Sequence, residues 1–428
     1  MSTQFSRREV LKLTALALAS AGVPRFALGD GGSKKDGSAN FDWKLHTPEE
    51  AGMSRTGVEA IRAAMQKSID ENRIPGVVSA VVRHNKLVWY EAQGWRDPIA
   101  RIPMGKEDIF AMMSSTKPVT AVAVLMMLDE GKLSLDDKIS RFIPTFKNPK
   151  VVVRAPGSKK TDPPELVPAN RELIIKDLLT HTSGLSTEGS PELKMDQTLA
   201  DRVPRIGSLP LEFQPGTKWN YSPVDGMDTL LRIVEIVSGM PADVFLKERL
   251  FQPLDMRDTS FNVPPEKRER IVPLFTFKEK VWTPKTRMLG AVNNNKYFCG
   301  AGGLFSTVKD FINFEMMLLN QGTFNGSRLL RKETVALLAR NQVGSLFAEW
   351  IPFVTAGMGF GLGVRVVEDE GKANGRSRGA FGWGGAYGTE SWADPSLDVA
   401  AAMFVQVSSG SPKPMNDFQK ALRNAIVA

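Results

Sequence analysis

The run Ala121-Val122-Ala123-Val124-Leu125-Met126-Met127-Leu128 offers no polar face at helical spacing, and this constrains the fold more than any other stretch. A helix that is apolar all round must sit inside, wrapped by other elements. Just before it comes Met112-Met113-Ser114-Ser115-Thr116-Lys117-Pro118. Pro118 is tolerated only near a helix start, where its missing N–H is not needed. Ser114 and Lys117 therefore fall in the first turn, where a three-residue step brings two side chains onto one face and the helix dipole favours a developing negative charge. A serine hydroxyl is a weak nucleophile until a base draws off its proton, and a lysine amine serves where burial or nearby positive charge favours its neutral form. By itself S-x-x-K also suits an ordinary helix start.

The chain has 428 residues, enough for one large domain or two ordinary ones. Its formal charge is +8. Arg7, Arg8, Lys12 and Arg25 against Glu9 place +3 of this in the first 29 residues, so the remaining +5 is too scattered to indicate a nucleic-acid partner. Residues 1–29 read as a removable Tat-type signal: the Arg7-Arg8 pair precedes an apolar segment from Leu13 to Val23 and the small-x-small site Ala27-Leu28-Gly29. That segment is about 11 residues against roughly 20 for a membrane span. The expected partner is the Tat export machinery, with no stable membrane anchor and a periplasmic or secreted destination. Residues 30–42 read as a linker and 43–428 as the working domain. Cys299 is the only cysteine, so an internal disulfide is excluded. With His46, His84 and His181 as the only histidines and no H-E-x-x-H, no metal site and no cofactor is expected.

Val58, Ile61, Ala64, Met65 and Ile69 recur at helical spacing. Gly76 to Arg83 and Leu87 to Gln93 read as a β-hairpin turning at His84-Asn85-Lys86. The proline-rich Lys150 to Asn170 reads as a surface insertion. His181, in a polar turn after a short helix, reads as a residue whose ring nitrogens tie that turn together. Tyr221 precedes a helix from Met227 to Val237, and Gly300 to Thr307 opens another through Leu319. Strands are expected over Gly361 to Val367, over Ala380 to Gly388, and over Thr389 to Ala393 paired with Val399 to Val407. Phe418, Leu422 and Ile426 mark a last amphipathic helix. Strands at both chain ends with helices between predict an α+β fold. Its antiparallel sheet is built from both ends and flanked by helices, with an inserted, mainly helical lobe at about 113–299 and the α/β lobe at about 43–112 and 300–428.

Gly375-Arg376-Ser377-Arg378-Gly379 matches G-x-S-x-G, yet no histidine follows Ser377 and its flanks are polar and glycine-rich, so it reads as a basic loop. Seven other segments occur together in one order: Ile74-Pro75-Gly76, Gly94-Trp95-Arg96-Asp97, Ser114-Ser115-Thr116-Lys117, Asp177 to Leu185, Tyr221-Ser222, Gly302 to Thr307 and Trp383-Gly384-Gly385. From about Thr47 onward the chain thus resembles the serine β-lactamase and penicillin-binding-protein superfamily, in its class C-like branch near the family VIII carboxylesterases.

The resemblance implies Ser114 as nucleophile, Lys117 as general base and Tyr221 sharing the base role or protonating the leaving oxygen. It implies an oxyanion hole from the N–H groups of Ser114 and Ala386, the latter on the strand carrying the substrate-binding residues Trp383, Gly384 and Gly385. Two departures bear on the substrate. Pro223 stands where β-lactamases carry an asparagine, and Trp383 where they carry a lysine that helps hold a carboxylate. A small neutral ester is therefore the expected substrate. A β-lactamase or D-amino-acid peptidase remains the alternative if Arg365, Arg376 or Arg378 supplies a cation near Trp383. A catalytically silent envelope binding protein is the third reading.

Overall fold

The computed structural model describes residues 40–155, 157, 163–185, 190–285, 294–408 and 414–427. The expected signal segment lies outside them. Helices that position the site are α1 (Arg55–Asp70), α2 (Thr116–Asp129), α3 (Asp225–Ser238), α4 (Val308–Leu319) and α5 (Met415–Ala425). The main-sheet strands are β1 (Gly76–Arg83), β2 (Lys86–Asp97), β3 (Ile102–Pro103), β4 (Met358–Phe360), β5 (Arg365–Val367), β6 (Phe381–Gly384), β7 (Glu390–Asp394) and β8 (Val399–Phe404).

Their order across the antiparallel sheet is β4-β5-β6-β7-β8-β1-β2-β3. The seam between the two chain ends is β1 against β8, with Val78 opposite Phe404 and Val82 opposite Ala400. Alternate β1 side chains point to opposite faces, and both faces are covered. Val77 and Val81 join α1 and α5 in one core cluster. Val78, Ala80 and Val82 join α2, α3 and α4 in the other. This is why β1 reads as an almost unbroken apolar run. Local signals set the boundaries: Ser54 caps α1 by accepting the Gly57 N–H, His84 and Asn85 turn the first hairpin with positive φ, and Gly239 ends α3 in the left-handed region. In α2 every residue from Thr116 to Met127 is buried, packed against α3.

Two expectations need correction. Phe41, assigned to the linker, is buried, with its N–H donating to Asn325. The strand expected over Gly361 to Val367 is instead the paired β4 and β5, because Gly363 at φ +81° reverses the chain. The surface insertion at Lys150 to Asn170 carries an antiparallel strand pair, Lys150–Val153 with Glu165–Pro168. Gly375 to Gly379 is a loop as expected, with Arg376 and Ser377 buried and the Ser377 N–H donating to Asp394.

Glu315 of α4 is buried against β7, accepting the Ser391 hydroxyl at 2.6 Å, and burial pushes its carboxyl up from 4.5 to about 8. The folded state thus keeps a proton that the unfolded chain releases. Stability from this group falls as pH climbs from about 4.5 towards 8 and is level above that. Glu315→Gln should flatten this slope, seen as thermal midpoints at about pH 5 and pH 8 that draw together in the variant. A variant that keeps the wild-type slope would assign it to other groups.

Candidate active site

Ser114 lies in the 3₁₀ turn Met113–Ser115, which runs directly into α2. Met113 holds φ +47°, a conformation that long side chains avoid unless the surroundings impose it. Those surroundings are a clamp of three segments. The Met112 N–H donates to the Leu304 carbonyl at 2.9 Å. The Met112 carbonyl accepts the Thr389 hydroxyl at 3.0 Å, and the Ser115 and Thr389 hydroxyls bond at 2.9 Å. Gly385 has to be glycine, since a Cβ there would stand 2.3 Å from the Met112 oxygen.

Lys117 is 1% exposed. Its Nζ lies 2.8 Å from the Pro223 carbonyl, 2.9 Å from the Ala301 carbonyl and 3.2 Å from Ser114 Oγ. Two directions of the tetrahedral nitrogen are committed to carbonyls, so the third faces the serine. In the neutral amine that direction carries the lone pair. The Tyr221 hydroxyl donates to Ser114 Oγ at 2.7 Å, and Lys117 Nζ lies 4.9 Å from the Tyr221 ring centre. One hydroxyl therefore meets an amine and a phenol at hydrogen-bonding distance.

Tyr221 is held by His181. The His181 carbonyl accepts the Asn220 N–H at 3.0 Å, and its Nδ1 accepts the Ser222 N–H at 3.3 Å, so the residues on both sides of Tyr221 are fixed. The imidazole is buried among Trp219, Tyr221 and Phe360. Burial, then the Lys117 charge, push its pKa well below the usual range, which keeps it a neutral acceptor and not a general base. One ring nitrogen does the tying, and it ties the tyrosine segment rather than its own turn. The Ala301 carbonyl is held in turn, because its N–H donates to buried Asp228 at 3.2 Å. Tyr297 bonds the same carboxylate, and Arg202 pairs with Asp225 at 2.6 Å.

Trp383 forms the opposite wall, its ring 5.8 Å from that of Tyr221 and 5.4 Å from Phe360. Behind it Arg365 stands with Cζ 6.0 Å from the indole and pairs with Glu390 at 2.8 Å. Arg376 approaches the same carboxylate at 3.5 Å, and burial, then the Arg365 charge, lower its pKa to about 10. Arg378 is exposed.

The structure thus brings Ser114, Lys117 and Tyr221 together and sets Trp383, Gly384 and Gly385 beside them. Ala386 needs a correction of place. It lies in the turn after β6 and not on the strand, packed in the cluster that contains Met113 and Tyr387. The Pro223 and Ala301 carbonyls, Thr389, His181 as a brace, and Glu390 were missed. Backbone acceptors leave no mark in a sequence, whereas the Arg365–Glu390 pair could have been sought once a cation near Trp383 was in question. Among the described residues no group of acidic, histidine and cysteine side chains could hold a metal, and no helix is long and apolar enough to cross a membrane.

The fold and this serine-centred cluster define the class: a carboxylesterase-like serine hydrolase of the β-lactamase superfamily. The family described as Beta-lactamase matches residues 60–425, and the chain belongs to it. Among its relatives, Protein Rv1367c of Mycobacterium tuberculosis is 32% identical over 369 residues, covering 81% of this chain and 89% of the relative. Esterase EstB of Burkholderia gladioli is 29% identical over 402 residues, covering 86% and 94%. The solved structure of EstCE1, described as a hydrolase with promiscuous acyltransferase activity, superposes with a TM-score of 0.72 at 25% identity, covering 86% of this chain and 99% of that one.

Proposed function

We propose that the protein is an exported serine carboxylesterase that cleaves small or short-chain esters through an acyl-enzyme on Ser114. The observation that carries this reading is the joint approach of Lys117 Nζ and Tyr221 Oη to Ser114 Oγ beside an indole wall. The Lys117 amine takes the hydroxyl proton as Ser114 Oγ attacks the ester carbonyl. The backbone N–H groups of Ser114 and Ala386 receive the oxyanion, each worth about 3 kcal/mol when preorganised. Collapse expels the alcohol, protonated from Tyr221 or Lys117. Water activated by the same pair then releases the acid and regenerates the serine. Esterase EstB among the relatives supports the ester preference.

The test is turnover of p-nitrophenyl acetate and butyrate against nitrocefin, with the esters expected to be cleaved faster. Faster nitrocefin cleavage favours the second reading, a β-lactamase or D-amino-acid peptidase, to which the nearness of Arg365 to Trp383 lends support. Failure of a fluorophosphonate to label Ser114 favours the silent binding protein. Export rests on Arg7-Arg8 and is tested by whether the chain stays inside cells when both are lysine.

A further inference from the structure

Two backbone bonds shape the turn between β6 and β7. The Gly385 N–H donates to the Thr389 carbonyl at 2.7 Å, and the Gly388 N–H donates to the Gly385 carbonyl at 2.9 Å. Ala386 sits inside this turn, and Thr389 closes it. The Thr389 side chain then leaves the turn and grips the segment that carries Ser114. Its hydroxyl lies 3.0 Å from the Met112 carbonyl and 2.9 Å from the hydroxyl of Ser115, which is 274 residues away in sequence. Thr389 and Ser115 are both buried. A carbonyl can only accept, so the Thr389 proton goes to Met112 and Ser115 donates to Thr389. Gly385 is wedged into the same joint, since a Cβ there would stand 2.3 Å from the Met112 oxygen and 2.4 Å from Thr389 Oγ1.

Met112 and Ser115 bracket Met113-Ser114, so one side chain joins the turn holding Ser114 to the turn holding Ala386. These are the two backbones assigned to the oxyanion. Donors of this kind act only when fixed in advance at the right separation, and a misplacement of about 1 Å can cost about 10² in rate. We propose that Thr389 is a positioning residue for ester cleavage: its hydroxyl sets the distance between the Ser114 and Ala386 N–H groups, and so the width of the oxyanion hole. The inference rests on the esterase reading and adds what holds the two halves of that hole in register. The joint is built from uncharged groups, so its effect is one of geometry and leaves the proton-transfer pair, Lys117 and Tyr221, as it is.

The experiment compares Thr389→Val, which keeps the shape and loses the hydroxyl, with Thr389→Ser, which keeps the hydroxyl and loses a methyl. With p-nitrophenyl butyrate, Thr389→Val should lower kcat about 10²-fold with KM changed only a few-fold. Thr389→Ser should stay within about threefold of the wild type. A second reading uses an alkyl trifluoromethyl ketone. Ser114 Oγ adds to its carbonyl, the carbonyl electron pair moves onto oxygen, and the hydroxyl proton passes to Lys117, which leaves a stable oxyanion in the hole. Its inhibition constant should rise in Thr389→Val by about the same factor as kcat falls, which a merely structural role does not predict. If Thr389→Val folds poorly, Ser115→Ala serves, since it removes one of the two grips and should lower kcat about tenfold at nearly constant KM. A folded Thr389→Val with kcat within about twofold of the wild type, an equal loss in Thr389→Ser, or a ketone bound as tightly as before overturns this inference alone. A wild type that cleaves no ester overturns the esterase reading and this inference with it.

Discussion

Ser114→Ala is expected to lower kcat/KM for p-nitrophenyl butyrate by about 10⁴ or more, since losing the nucleophile removes the covalent route and leaves only binding and oxyanion stabilisation. The fold should survive. Ser114 is half-buried, and its hydroxyl meets only Lys117 and Tyr221, of which Lys117 is also held by two backbone carbonyls. Melting within about 2 °C of the wild type is therefore expected, and fluorophosphonate labelling should disappear. A variant that keeps ester cleavage moves the chemistry elsewhere and sinks the acyl-enzyme on this residue.

Lys117→Met should lower kcat by about 10³ with KM changed only a few-fold, because proton transfer in the transition state is what general base catalysis supplies. Methionine retains much of the length and apolar stem of lysine. It leaves the Pro223 and Ala301 carbonyls without their donor, at about 1–3 kcal/mol for each buried group left unsatisfied. A lowered melting point is thus part of the expected result. The discriminating measurement is the double variant: Ser114→Ala with Lys117→Met should be no slower than Ser114→Ala alone, since nucleophile and base act as one unit. Losses that multiply would separate the two residues and refute the assignment.

Much of this arrangement was legible in the amino-acid order. The apolar run of α2 leaves no orientation except burial, and Pro118 fixes where that helix begins, which puts Ser114 and Lys117 on one face from sequence alone. The β1–β2 hairpin and the β7–β8 pair announced themselves by β-rich runs around polar turns. What was hidden depends on groups that residue names do not encode. The carbonyls of Pro223 and Ala301 orient Lys117 as backbone, and any side chain there could have done so. His181 reads as a turn residue because its partners, Asn220 and Ser222, lie far along the chain. Ala386 was set on a strand because Trp383-Gly384-Gly385 looks continuous with it, whereas the Gly385 N–H already turns back to the Thr389 carbonyl at 2.7 Å.

The seam between β1 and β8 also governs when the protein can become itself. Val78 waits for Phe404, so on the ribosome the first hairpin emerges with one edge unsatisfied while nearly everything else is still being made. Contacts of such long sequence separation close late and slowly, which leaves a valine-rich border open to intermolecular pairing in the meantime. Truncation before the last strand should therefore yield an aggregation-prone fragment instead of a smaller working enzyme.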